Sequence, residues 1–258
     1  MRTPVVWIGT GWKMNKTLAK ALAYAERLQQ VDGAGLDCIQ RFIVPSFPVL
    51  REVKAALRDS GVLVGAQTMH WAESGPFTGE VSAPMLVDCG VDLVELGHSE
   101  RRAQFGETDD AVGRKVATAM RHGLIPLICV GETREDRDAG RAAQVLQQQV
   151  RGALERLDVT VGPGEVLFAY EPVWAIGAAG TAAEPAYAAA RQAEIKALAA
   201  DLLGQAPPCL YGGSVTEVNC DVLIAEDSID GLFIGRAAWD VAGYLRILQR
   251  CAERIKGG

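Results

Sequence analysis

The sequence predicts a single-domain α/β fold, in which eight parallel strands and their covering helices close into a (β/α)₈ barrel. Eight short apolar runs recur along the chain, with starts about 32 residues apart, roughly the length of one strand plus one helix. Segments with helical periodicity lie between the runs, which indicates parallel strands covered by helices. Eight such units in 258 residues favour a closed barrel over an open doubly wound sheet. No linker, charge block or low-complexity tract divides the chain, so we expect residues 1–258 to form one domain.

Each strand is predicted from a run with the length and residue types of a buried strand. In chain order the runs are VVWIG (5–9), CIQRFIV (38–44), VLVGA (62–66), VDLVELG (91–97), IPLICV (125–130), VLFAY (166–170), PCLYG (208–212) and DGLFIG (230–235). The spacing of apolar residues predicts helices over 18–31, 142–157 and 244–255. Residue types that open helices occur at Asp109, at Thr133 and at Glu184 with Pro185.

Composition and charge exclude several classes of function. The net charge of −6 and the scattered Lys and Arg residues leave no basic patch, so we expect no nucleic-acid partner. No apolar run approaches the roughly 18 residues that a membrane span needs, and the N-terminal residues do not resemble a secretory signal. We therefore expect no membrane partner and a cytoplasmic location. The six cysteines lie far apart without a CxxC pair and there are only three histidines, so we expect reduced thiols and no metal.

Three residues that can do chemistry follow predicted strands, at the face where a (β/α)₈ barrel carries its functional groups. Lys13 follows the first run and is suited to hold an anionic substrate. His98 follows the fourth run just before a helical start, whose amide groups favour a neutral imidazole that can act as acid, base or hydrogen-bond donor. Glu171 follows the sixth run and is a potential general base. Taken singly, each residue could equally be a surface or structural residue, and the sequence pattern leaves that alternative open.

Two loops with glycines at strand ends are candidates for binding phosphate. Gly213 and Ser214 follow the seventh run, and Gly235 and Arg236 follow the eighth. Glycine lets the backbone approach a ligand closely, and a following helix start contributes its positive end. Barrels often bind phosphate at these last two loops.

The stretch after Glu171 has the composition of a lid. Residues 173–176 are apolar where an exposed loop is normally polar, and residues 177–182 are small. The alternative is an ordinary buried loop. Together with the strand-end residues, a lid suggests a phosphorylated small molecule that is handled by one carboxylate, one imidazole and one lysine.

Four motifs resemble triosephosphate isomerase and are spread over nearly the whole chain. They are WKMN (12–15), ELGHSERR (95–102), AYEPVWAIG (169–177) and YGGSV (211–215). The resemblance implies a TIM barrel that needs no cofactor and works through an enediol. It implies that Glu171 moves a proton between adjacent carbons while neutral His98 polarises the carbonyl, a pairing already established for triosephosphate isomerases. Lys13 would offset the developing negative charge, Glu100 would brace Lys13, and Cys129 would pack beneath the site.

The resemblance also implies a closing lid and a subunit interface. The loop 172–182 would close over the substrate and exclude water, a gating role known from this family, and Gly177 would contact the phosphate. Residues 67–80 resemble the family's third loop, which reaches into the neighbouring subunit, so a homodimer through this loop is implied. Thr78 would then lie close to the partner's site.

Three departures from the family pattern bear on the substrate. Gly11 stands where the family usually has Asn, which removes a hydrogen-bond donor to the substrate and opens room for roughly a hydroxymethyl group. Arg236 stands where a second glycine is usual and adds a cation beside the phosphate site or the dimer rim. The segment 177–182 lacks the usual lysine, and its small residues predict a looser hinge that loses more entropy on closure.

These departures, with IQRFIVP (39–45) and GLFIGRAAW (231–239), resemble the branch of the family that isomerises tetrulose phosphates. That branch interconverts L-erythrulose 1-phosphate and D-erythrulose 4-phosphate during erythritol breakdown. The alternative substrate is a phosphorylated three-carbon ketose, dihydroxyacetone phosphate, interconverted with D-glyceraldehyde 3-phosphate in glycolysis and gluconeogenesis. A barrel that only binds a sugar phosphate is a further alternative, which the joint presence of Lys13, His98 and Glu171 disfavours because binding needs no base.

Overall fold

The eight predicted strands form a closed parallel barrel. The computed structural model describes residues 6–31, 35–157, 166–177 and 180–257. In it each strand pairs with the next in chain order and the eighth pairs with the first. The strands are β1 Val6–Gly11, β2 Ile39–Val44, β3 Leu63–Ala66, β4 Leu93–Leu96, β5 Ile125–Val130, β6 Leu167–Tyr170, β7 Cys209–Tyr211 and β8 Gly231–Ile234. The predicted (β/α)₈ barrel is therefore confirmed.

Helices follow the strands around the outside of the barrel. Those in the described residues are α1 Leu18–Gln29, α2 Leu50–Ala56, α3 Ala83–Asp88, α4 Ser99–Phe105, α5 Asp109–Arg121, α6 Arg134–Asp138, α7 Ala142–Leu154, α8 Pro185–Leu203, α9 Cys220–Ile224 and α10 Val241–Gly257. The helices predicted over 18–31 and 142–157 end a few residues earlier than expected. The one predicted over 244–255 is longer at both ends, because its first turn carries few large apolar residues and gave no periodic signal. Within the described ranges, no helix is long and apolar enough to cross a membrane.

Local side-chain chemistry explains where several helices begin. Thr108 precedes α5 and its hydroxyl oxygen accepts a hydrogen bond from a first-turn amide, and Thr133 does the same for α6. Pro185 occupies the first turn of α8, where its missing N–H leaves no hydrogen bond unmade. The helix openings predicted from the sequence are thus confirmed to within one residue.

Apolar side chains fill two regions, one inside the barrel and one between the strands and the helices. The inner region consists of Trp7, Phe42, Val44, Leu93, Leu127, Cys129, Leu167, Ala169, Leu210 and Phe233. Residues two apart along a strand share a face, so Leu127 and Cys129 both point inward from β5. Because the interior is filled with side chains, the mouth at the carboxyl ends of the strands is where a barrel of this kind accepts a ligand.

Candidate active site

A cavity of about 410 Å³ opens at the carboxyl ends of the strands. Its walls come from the ends of β1, β4, β6, β7 and β8 and from the loops that follow them. All the site residues predicted from the sequence line this cavity, namely Gly11, Lys13, His98, Glu100, Glu171, Gly177, Gly213, Ser214, Gly235 and Arg236.

Lys13 is held in a fixed position after β1. Its backbone has φ +52°, a left-handed conformation that is unfavourable for a residue with a side chain and is typical of functional sites. The side-chain amide of Gln67 donates a hydrogen bond of 2.8 Å to the Lys13 carbonyl oxygen. The Lys13 ammonium donates to Glu100 Oε1 at 2.6 Å. The expected contact between these two side chains is therefore present in the free site.

His98 caps helix α4 with its own imidazole ring. Its Nδ1 accepts a hydrogen bond of 3.1 Å from the backbone amide of Glu100. A nitrogen that accepts a hydrogen bond carries no proton, so the geometry corresponds to a neutral ring with its proton on Nε2. The Nε2 atom lies 3.6 Å from Glu171 Oε2, on the cavity side of the ring. The imidazole can thus donate a proton or a hydrogen bond to a molecule in the cavity.

Glu171 is a buried carboxylate at the end of β6. Its backbone amide donates to the Val130 carbonyl at 2.7 Å, which continues the pairing with β5 by one residue. The residue is only 3% exposed, and among the residues that the structure describes Oε2 has no hydrogen-bond partner. A buried carboxylate oxygen without a donor is costly, so it is available to accept a proton from a bound molecule. Gly212 leaves the space for this side chain, because a Cβ there would lie 2.7 Å from Glu171 Cγ.

Glu95 is a cavity residue that the sequence reading did not single out, because it lies inside an apolar run. It is 6% exposed and lines the cavity floor, 4.0 Å from His98 Nε2. Cys129, expected beneath the site, is buried there with its Sγ atom 4.0 Å from Glu95 Oε1. Burial raises the pKa of Glu95 to about 7, and the charge of the nearby Glu171 carboxylate adds to this rise. Burial and the two nearby carboxylates raise the pKa of Cys129 well above its ordinary value, so this thiol is not a nucleophile.

The side chains of Glu95, His98 and Glu171 lie close together at the cavity. One ligand-type atom from each lies within 4.8 Å of the others. His98 and Glu171 can exchange protons with a molecule in the cavity, and the donor types of all three residues are also ones that metal ions accept. The expectation that the protein needs no metal stays a prediction.

The lid predicted after Glu171 begins with a short 3₁₀ helix, Val173–Ala175. Its inner side contributes Ala175, Ile176 and Gly177 to the cavity wall. The buried Glu132 carboxylate accepts hydrogen bonds from Trp174 Nε1 at 2.9 Å and from the hydroxyls of two tyrosines. The base of the lid is thus anchored by a buried carboxylate that the motifs did not reveal.

Two glycines in the second half of the lid are required by their backbone conformation or by close packing. Ala178 and Ala179 of the predicted hinge lie outside the described residues. Gly177 has φ +85°, a conformation that favours glycine. A Cβ on Gly180 would lie 2.6 Å from the Ala175 carbonyl carbon, so Gly180 is also required by close packing.

The two predicted phosphate loops face the cavity together. Gly213, Ser214, Gly235 and Arg236 line one side of it, and the Arg236 side chain is exposed. A helix start directly after the seventh strand was expected, but α9 begins only at Cys220. After β8 a short 3₁₀ helix, Arg236–Ala238, follows Gly235 at once. Backbone amides are therefore available at this side of the cavity chiefly from the loops themselves.

Gly11 forms part of the cavity floor. The indole Nε1 of Trp239 donates to the Gly11 carbonyl oxygen at 3.0 Å. A Cβ at this position would lie 3.0 Å from Phe233 Cζ. Part of the space that a side chain at position 11 would use is therefore taken by Phe233.

The loop 67–80 is exposed over most of its second half. The His70 ring stacks on Trp71 and on Phe77, with centroids 4.2 and 4.0 Å apart. Phe77 and Met14 are nevertheless 42% and 96% exposed. A contiguous apolar patch would mark a surface that contacts another protein, whereas apolar side chains exposed singly are common on monomers.

Comparisons with known proteins agree with this geometry. A family model described as triosephosphate isomerase matches residues 6–251. The chain is 59% identical over 255 residues to an L-erythrulose-1-phosphate isomerase of Rhizobium rhizogenes, covering 99% of this chain and 98% of that protein. It is 60% identical over 250 residues to the protein of the same name from Brucella abortus, with 97% and 98% covered. A protein of that name from Mesorhizobium japonicum is 56% identical over 251 residues, with 97% and 99% covered.

Proposed function

Because the chain belongs to the triosephosphate isomerase family, we propose that this isomerase interconverts L-erythrulose 1-phosphate and D-erythrulose 4-phosphate. The choice of substrate rests on one observation. Proteins named L-erythrulose-1-phosphate isomerase match the chain over nearly its full length at 55–60% identity. The neutral His98 and the unpartnered Glu171, which face one cavity, support the same class of reaction.

Glu171 is the base in this proposal. The carboxylate takes the proton from C3 of the ketose, and the electron pair of the C–H bond forms the enediol double bond between C2 and C3. The same carboxyl group returns the proton to C2, while the hydroxyl proton on O3 is passed to O2 through the His98 imidazole, so that the carbonyl moves from C2 to C3 without a redox partner. Burial of the carboxylate, and an Oε2 atom that accepts no hydrogen bond from the described part of the chain, support this role, because this oxygen is free to accept the proton of a bound ketose.

His98 and Lys13 handle the charge that develops on the two oxygens. The Nε2–H of His98 donates to the oxygen of the carbonyl that is being enolised, and the ammonium of Lys13 offsets its negative charge. Glu100 holds Lys13 through the 2.6 Å ion pair. Gly213, Ser214 and Gly235 supply backbone amides to the phosphate, with Gly177 joining them when the lid closes and Arg236 adding a positive charge. No cofactor is needed for these steps.

Assays on both ketose phosphates test the choice of substrate. Purified protein should give a higher kcat/KM on L-erythrulose 1-phosphate than on dihydroxyacetone phosphate. A kcat/KM on the triose near the diffusional ceiling of about 10⁸ M⁻¹s⁻¹ would instead identify the glycolytic and gluconeogenic reaction.

Replacing the base tests the mechanism and excludes the binding-only alternative. Glu171→Gln keeps the shape of the side chain but cannot accept the proton, so turnover should fall by several orders of magnitude while the protein still binds inorganic phosphate. Persistent turnover would show that another group is the base.

We propose that the active form is a homodimer formed through residues 67–80. The exposed Met14 and Phe77 support this, because a dimer would remove them from water. Thr78 would then approach the cavity of the partner. Sedimentation should give twice the monomer mass, and Phe77→Asp should shift the protein toward monomer with reduced activity. We also propose that the protein works in the cytoplasm without a nucleic-acid or membrane partner, which localisation of a tagged chain would test.

A further inference from the structure

Glu95 is a buried carboxylate that the reaction scheme above leaves without a role. It lies in β4, and it shares the inward face of this strand with Leu93, two residues earlier. In the register of the barrel it stands opposite Leu127 of β5. An acidic side chain among apolar neighbours costs free energy, which points to a function that outweighs the cost.

The surroundings of Glu95 give it few partners within the protein. The hydrogen bond found for its carboxyl group among the described residues is the long one from Cys129 Sγ, at 4.0 Å. The nearest imidazole nitrogen, His98 Nε2, is also 4.0 Å away and is too far for a hydrogen bond. The carboxyl group therefore keeps hydrogen-bonding capacity that it can direct to a molecule in the cavity.

The position of β4 in the barrel indicates which part of the substrate would meet Glu95. In a closed ring of eight strands, β4 lies across the mouth from β8, which carries Gly235, and nearly across from β7, which leads to Ser214. A substrate whose phosphate lies at those loops and whose reacting carbons lie between His98 and Glu171 points its other end toward β4. In the tetrulose substrate that end is a hydroxymethyl group.

We propose that Glu95 is a specificity-determining residue whose carboxyl group binds the terminal hydroxyl of the four-carbon substrate. The inference rests on the proposed function, since a three-carbon ketose phosphate has no atom at this position. The raised pKa supports it: at neutral pH a substantial share of Glu95 is protonated and can both donate to and accept from a hydroxyl. A protonated Glu95 also adds no negative charge beside the base, Glu171.

The test compares wild type, Glu95→Leu and Glu95→Gln on three substrates. These are L-erythrulose 1-phosphate, its 4-deoxy analogue, in which a methyl replaces the hydroxymethyl group, and dihydroxyacetone phosphate. Wild type should prefer L-erythrulose 1-phosphate to the deoxy analogue by about 10- to 100-fold in kcat/KM. The reason is that the buried Glu95 carboxyl group is left without this hydrogen-bond partner when the substrate lacks the hydroxyl. Glu95→Leu should lose this preference, and its kcat/KM on L-erythrulose 1-phosphate should fall further than its kcat/KM on the triose, whereas Glu95→Gln should retain part of the preference.

Glu100→Gln is a matched control, because it removes a different carboxylate from the same cavity. It should lower activity on all three substrates by the same factor, since Glu100 acts through Lys13. The inference is overturned if wild type does not distinguish the deoxy analogue, a comparison that needs no variant to fold. It is also overturned if Glu95→Leu keeps the preference, or if its kcat/KM falls by the same factor on all three substrates. Failure of wild type to act on L-erythrulose 1-phosphate would instead overturn the proposed function.

Discussion

The position of Glu171, the proposed base, depends on one glycine that has no proposed part in the chemistry. A Cβ at Gly212 would lie 2.7 Å from Glu171 Cγ and 3.2 Å from its Oε1. Carbon atoms in contact prefer about 3.5–4.0 Å, so Gly212→Ala should displace the Glu171 side chain by about 1 Å. A displacement of this size at a reacting group costs roughly 10²-fold in rate, or about 2.7 kcal/mol of transition-state stabilisation. We therefore expect kcat to fall by about two orders of magnitude in this variant.

The assay is steady-state kinetics at saturating substrate, with thermal unfolding to confirm that the variant is folded. Gly235→Ala provides the contrast, because in the described part of the chain no atom lies within 4 Å of a Cβ there, and Gly235 lines the side of the cavity that is proposed to bind phosphate. It should raise KM more than it lowers kcat. A Gly212→Ala enzyme with kcat within twofold of wild type would refute the argument that Gly212 sets the position of Glu171.

Three further predictions follow from the same cavity. Gly11→Asn should shift the ratio of kcat/KM values toward the triose and away from the tetrulose by about 5- to 10-fold, since the new side chain must displace Phe233 and fill the cavity floor. An unchanged ratio would exclude Gly11 as a specificity element. The folded-state pKa of Glu95, about 7, exceeds its ordinary value of 4.5, so the folded protein binds the proton more tightly and loses stability as pH rises from about 4.5 through 7. Denaturant unfolding at several pH values should therefore show Glu95→Gln gaining stability relative to wild type over this interval, and a constant difference would contradict the burial argument. Dialysis against EDTA should leave activity unchanged, and a loss restored by a divalent cation would show that the Glu95, His98 and Glu171 cluster holds a metal.

The sequence predicts the barrel well because each strand carries its own signal. Buried parallel strands are continuous apolar runs, and glycines and helical segments separate them, so all eight were found near their true positions. The strand ends then place Lys13, His98 and Glu171 at one mouth without any knowledge of distances. Helix ends are less predictable, since the last turns of α1 and α7 depend on packing and on hydrogen bonds that periodicity does not describe.

The residues that the sequence reading missed are those whose role depends on tertiary neighbours. Glu95 interrupts an apolar run by one residue, and only the closed barrel shows that it faces the cavity rather than a helix. Glu132 is far in sequence from Trp174 and Tyr170, so its hydrogen bonds to them could not be read from a local motif. Phe233 likewise lies more than two hundred residues from Gly11, and only the pairing of β1 with β8 brings the two together.

In the proposed mechanism, the groups that move protons are separate from the groups that distinguish one substrate from another. His98 and Glu171 occupy the middle of the mouth, where any ketose phosphate held at the β7 and β8 loops would place its reacting carbons. Gly11, Glu95 and Phe233 also line the cavity, and in the proposed binding mode they would meet the end of the substrate that differs between three and four carbons. A change on the floor therefore alters which ketose binds productively without moving the base, whereas a change at Gly212 moves the base for every substrate. If this separation holds, floor variants will change ratios of kcat/KM between substrates, and variants around Glu171 will change all rates together.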